Sequence, residues 1–68
     1  MRIGSWAFYD YSWLKIVVIP ESVEWIGDCA FNKCKNATII LKKPEKDFKK
    51  IGWSAFYNVK DVKEKIGS

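Results

Sequence analysis

The unit Ile-Gly-x-x-Ala-Phe occurs three times, as Ile3-Gly4-Ser5-Trp6-Ala7-Phe8, Ile26-Gly27-Asp28-Cys29-Ala30-Phe31 and Ile51-Gly52-Trp53-Ser54-Ala55-Phe56. The starts at 3, 26 and 51 lie 26 − 3 = 23 and 51 − 26 = 25 residues apart, a period at which one small unit stacks on the next. Such a unit cannot bury its apolar side alone, so the repeat dictates a coil-on-coil architecture before any shorter motif is read. Function on such a scaffold resides in whatever the coils display.

With 68 residues the chain is a single domain that buries only about 60% of its unfolded surface, and its core is marginal. The apolar fraction of 49% and aromatic fraction of 16% nevertheless favour an aromatic-packed body over disorder. Net charge is +4, with lysines gathered between Lys42 and Lys50 and between Lys60 and Lys65. Charge of this size is what solubility requires, and it ranks a nucleic-acid partner below a protein partner.

Cys29 and Cys34 sit five positions apart on what reads as one helical segment. That spacing holds their Cα atoms beyond the roughly 7 Å that a disulfide allows, so free, buried thiols are expected. Two cysteines in a chain without histidine make a poor zinc site. No basic segment followed by an apolar one opens the chain, and no stretch approaches the roughly 20 apolar residues of a membrane span. A soluble chain without a signal peptide is the expectation, with secretion open to a longer parent.

Ser5 and Asp28 are placed to cap short helices, the first running through Trp6-Ala7-Phe8-Tyr9-Asp10-Tyr11. Extended segments follow: Leu14 to Ile19, ended by Pro20, and Ala37 to Leu41 around Thr38-Ile39-Ile40. Pro20-Glu21-Ser22-Val23 and Lys43-Pro44-Glu45-Lys46 read as turns into the next unit.

The phrase Ile3-Gly4-x-x-Ala7-Phe8, through Tyr11-Ser12-Trp13-Leu14, to Val17-Val18-Ile19-Pro20-Glu21-Ser22-Val23 and Ile26-Gly27, resembles the BspA-like leucine-rich repeat of bacterial and protist surface proteins. The resemblance covers essentially the whole chain. It implies an α/β fold, a short right-handed leucine-rich-repeat solenoid of about three coils, each a short helix plus a parallel strand, in one domain over 1–68. It also implies an adhesive or protein-binding role, and a cell-surface or secreted location if the chain is a fragment. Cys34 matches the family's small cysteine after the helix, with Tyr11 and Val59 as its counterparts.

The second link is two residues longer than the first, and Lys42 falls where Ile19 stands, which predicts a strand stopping or bulging near Leu41. In the third unit Ala55, Phe56, Val59, Val62 and Ile66 recur at helical spacing, with Gly67 as a C-cap. They predict a longer C-terminal helix.

If Leu14, Val17 and Ile19 point into the coil, as the resemblance implies, Ile16 and Val18 point out; in the second strand Ile40 is then inward, with Ile39 and Leu41 outward. The leading expectation is a self-associating protein–protein interaction module. Its partner-binding surface comprises Ile16, Val18, Ile39 and Leu41 with the basic Lys42, Lys46, Lys49 and Lys50. The alternative is a basic aromatic module for nucleic acid or glycans, using tryptophans as stacking platforms. Spread by repeat position, Trp6, Trp13, Trp25 and Trp53 look more like layered packing residues. No histidine base, nucleophile elbow, phosphate loop or spaced carboxylate pair is present, so no enzyme activity, catalytic residue, metal or cofactor is expected.

Overall fold

A computed structural model describes residues 1–66. Each repeat isoleucine ends a two-residue strand: β1 (Arg2–Ile3), β3 (Trp25–Ile26) and β5 (Lys50–Ile51). They pair in parallel in the order β1-β3-β5, with Ile3 beside Ile26 and Ile26 beside Ile51. The four-residue strands β2 (Ile16–Ile19), β4 (Thr38–Leu41) and β6 (Asp61–Glu64) form a second parallel sheet, ordered β2-β4-β6. The chain alternates between the two sheets and so winds through three successive coils.

Between the sheets, residues 5–10, 28–33 and 53–58 form consecutive turns, and no α-helix occurs among the described residues. The expected helices are therefore corrected. In the first coil the N–H groups of Trp6, Phe8 and Asp10 donate to the carbonyls of Asp28, Ala30 and Asn32 at 2.8–2.9 Å. Cys29, Phe31 and Lys33 donate in the same way to Trp53, Ala55 and Tyr57. The intervening N–H groups of Ala7, Tyr9 and Tyr11 close local turns onto Gly4, Trp6 and Phe8. Helices this short are marginal alone, whereas the coil-to-coil ladder satisfies the same backbone groups by tertiary contact. It requires a left-handed residue at two repeat positions: Trp6, Cys29 and Ser54, then Asp10, Lys33 and Asn58, with φ between 52° and 65°. Asp10 and Asn58 suit that region; the others are held there by the ladder.

Glycine at the Ile-Gly step follows from coil spacing. A Cβ on Gly27 would lie 2.3 Å from the Ser5 nitrogen, and one on Gly52 2.4 Å from that of Asp28. Only hydrogen fits where backbones approach so closely.

Ile19, Val23, Ile26, Ala30, Phe31, Cys34, Ala37, Ile39 and Leu41 form the buried centre, with Phe48 and Ala55. Phe8, Phe31 and Phe56 stack one per coil within it, the outer two half-buried. Of the three repeat alanines Ala7 is exposed, while Ala30 and Ala55 are buried.

The predicted C-terminal helix is replaced by β6. Val62 pairs in register with Ile39 and packs on the core, and Ile66, which helical spacing would have buried, is exposed. The open edge of β4 offers a full ladder to this segment, and tertiary pairing overrides local periodicity. The Gly67 cap lies outside the described residues.

A second correction concerns strand parity. Ile16 pairs with Thr38 and Val17 with Ile39, so Ile39 and Leu41 are the inward, fully buried residues and Ile40 points outward, half-buried. The chain is one residue shorter from Ile26 to Thr38 than from Ile3 to Ile16, and a one-residue slip exchanges the faces of a strand. The strand does end at Leu41, as Lys42 led us to expect.

Candidate protein-binding surfaces

The outward rows of the β2-β4-β6 sheet are Ile16, Thr38, Asp61 and Val18, Ile40, Lys63. Ile16 is 69% and Val18 54% exposed, and Ile40 extends this apolar strip onto the central strand. Parallel sheets are ordinarily covered on both faces, whereas the outer face that carries Ile16 and Val18 lies open. Toward β6 the face becomes polar. Ile39 and Leu41, expected on this surface, are instead core residues.

The lysines lie elsewhere. Lys46 sits in the 3₁₀ turn Glu45–Asp47, and Lys49 and Lys50 lead into β5; all three are exposed, while Lys42 is half-buried beyond β4. Lys49 is drawn toward the Glu24 carboxylate at 4.0 Å and the Trp25 ring at 5.1 Å. Lys50 belongs to the outward row Arg2, Trp25, Lys50 of the β1-β3-β5 sheet. Of the four expected lysines only Lys50 stands in a strand, on the sheet opposite the apolar strip, while Lys42 directly follows β4 and donates its N–H to the Ile19 carbonyl. Arg2, Trp25 and Lys50 border an open cleft of about 220 Å³, with the Arg2 guanidinium 5.0 Å from the Trp25 ring.

Trp6, Trp13 and Trp53 are exposed and only Trp25 is half-buried, which corrects the reading of the tryptophans as packing residues. Trp6 meets Tyr9 edge-on at 4.8 Å and Tyr11 stacks on Trp13 at 4.7 Å, so the first coil displays an aromatic surface. The sequence reasoning missed Ile40 and Trp13 as surface residues. Trp13, placed directly before the first β-branched run, was the available signal.

Cys29 and Cys34 are both free and buried, the first within the turn segment 28–33 and the second directly after it, instead of on a helix. The Cys34 thiol donates to the Phe8 carbonyl at 3.0 Å, and burial pushes its pKa up. Asp28, expected as a helix cap, accepts the Trp53 N–H of the next coil at 2.8 Å. Among the described residues no helix is long and apolar enough to cross a membrane.

A model of the BspA type leucine rich repeat region, described as six copies, matches residues 1–66. The chain belongs to the BspA-type leucine-rich repeat family. Repeats of this family generally serve as non-enzymatic modules that mediate protein–protein interaction. No curated protein and no solved structure matches the chain.

Proposed function

We propose that this BspA-type chain is a protein-binding module that associates with a second copy of itself through the outer face of β2-β4-β6, centred on Ile16, Val18 and Ile40. The observation that carries the reading is the exposure of Ile16 and Val18 on an uncovered parallel sheet. A closed pair about a two-fold axis buries the same strip on both copies and offsets the small size of each core. Isotope-filtered NMR on mixed labelled and unlabelled chains tests it directly. Intermolecular contacts at the methyls of Ile16, Val18 and Ile40 are expected, and their absence at high concentration sinks the pairing.

A second reading draws on the cleft bordered by Arg2, Trp25 and Lys50, which offers cations around an aromatic ring to an anionic glycan or nucleic acid. Affinity that falls steeply with salt would favour it over apolar contact.

A further inference from the structure

We propose that the exposed face of the first coil is a docking surface for the third coil of a second copy, so that chains stack head to tail. This contact is separate from the β2-β4-β6 pairing and does not rest on it.

The turn segments have a direction. Each coil donates N–H groups forward and accepts with its carbonyls from the coil before it. The first coil is left with the carbonyls of Ser5, Ala7 and Tyr9, and the third with the N–H groups of Ser54, Phe56 and Asn58, without backbone partners among the described residues. The free donors and acceptors are offset by one position in the repeat, the same offset that joins Trp6 to Asp28 and Cys29 to Trp53 within the chain. A head-to-tail contact satisfies both rows, whereas head-to-head contact would set carbonyl against carbonyl.

Shape agrees with this polarity. The Gly27 and Gly52 positions are filled up to the hydrogen by the coil before them, but a Cβ on Gly4 would meet nothing within 4 Å. Ala7 is exposed where Ala30 and Ala55 are buried. The phenylalanine stack ends on half-buried Phe8 at one end and Phe56 at the other, ready to continue from copy to copy. The large exposed apolar residues among those described lie on the first and third coils, such as Met1, Trp6 and Trp53, and none lies on the second. At β6 the edge is polar: Asp61, Lys63 and Glu64 are exposed and the Asp61 carboxylate takes the Val62 N–H. The contact is therefore carried by the turn segments and by β1 against β5. Because such an interface is heterologous and does not close, growth is open-ended.

Gly4 supplies the test. Within one chain a Gly4→Ala methyl has free space, but in the stack it would meet the incoming Trp53 backbone as closely as a Gly27 methyl would meet Ser5. Sedimentation velocity of the parent chain across a concentration series is expected to show species beyond the pair whose share rises with concentration. Melted at a dilution where the parent is not stacked, Gly4→Ala and the bulkier Gly4→Val should keep the parent's thermal midpoint, and at high concentration they should lose every species beyond the pair. Ile16→Lys with Val18→Lys should keep the Gly4-sensitive species, so failure of the sheet pairing is read separately. A parent that never exceeds two chains, or a Gly4→Ala distribution matching the parent's, overturns the stacking. A lowered midpoint in Gly4→Ala at that dilution would show that the face is covered within the single chain, and overturns it equally.

Discussion

The ring of Phe31 lies 5.1 Å from that of Phe8 with 5° between their planes, and Phe56 stacks on Phe31 in turn at 6.0 Å and 20°. One phenylalanine per coil thus ties the three coils into a single core, with Phe31 fully enclosed. Replacing Phe31 by Ala removes both stacking contacts and leaves a cavity costing about 3 to 5 kcal/mol, close to the whole stability of a domain this size. The urea midpoint should collapse for Phe31→Ala and fall less for Phe8→Ala, whose ring is already half-exposed. A thermal or urea midpoint unchanged by Phe31→Ala would contradict the coil-on-coil core.

Gly27 makes a sharper claim about coil spacing. Because an added Cβ would sit 2.3 Å from the Ser5 nitrogen and 2.6 Å from the Gly4 carbonyl carbon, backbone on both sides must part before alanine fits. Gly27→Ala is expected to be as damaging as a core truncation, at about 2 kcal/mol or more. Circular dichroism melts check this, and a Gly27→Ala chain as stable as its parent would mean that the coils lie further apart.

How much of this was legible beforehand can be read from particular residues. Ile3, Ile26 and Ile51 align in the sheet as their repeat does in the sequence, because a repeated unit must stack on itself. The turns were not legible as turns. A capping Ser5 or Asp28 before an apolar run reads alike for a short helix, and Trp6, Cys29, Lys33 and Ser54 carry no chemistry that announces a left-handed backbone. Only Asp10 and Asn58 gave a hint. The parity of Thr38-Ile39-Ile40-Leu41 was hidden for another reason: three consecutive aliphatics contain no alternation, so the face was decided by a one-residue difference in a distant link. At Val62, strand and helix both place the side chain on the core, and the open edge of β4 chose between them. The candidate surface inherited these errors: Ile16 and Val18 followed from the resemblance, which turns Leu14, Val17 and Ile19 inward, whereas Ile40 was exchanged with Ile39 and Leu41.

Cys34 links the core to pH. Burial raises the pKa of its thiol, and a weaker backbone hydrogen bond from Tyr11 opposes the shift. A raised pKa means that the folded state prefers the protonated thiol. The stabilisation is therefore complete below the unfolded thiol value of about 8.5 and is lost as pH rises through the higher folded value. Between neutral pH and about pH 10 the parent should lose more stability than Cys34→Ala, in which nothing ionises at that site. Urea midpoints of the two chains at both pH values decide it, and identical alkaline losses would show that Cys34 is not enclosed.

The parity of β4 separates two kinds of lysine substitution. Ile16 and Val18 are outward and largely exposed, so lysine there costs the monomer little and adds like charges where two copies would meet on the β2-β4-β6 face. Ile39 and Leu41 are fully buried, and lysine in either place puts an unpaired charge into the core. Melted at a dilution where the parent is a single chain, Ile16→Lys with Val18→Lys should therefore keep the parent's thermal midpoint, and at high concentration it should lose the intermolecular methyl contacts of the pair. Ile39→Lys should abolish the cooperative melt altogether. A folded Ile39→Lys chain would restore the opposite register of β4, and an unfolded Ile16→Lys and Val18→Lys chain would remove the surface from consideration. A folded double-lysine chain that still pairs through the same methyls would leave the register intact and place the attraction outside the apolar strip.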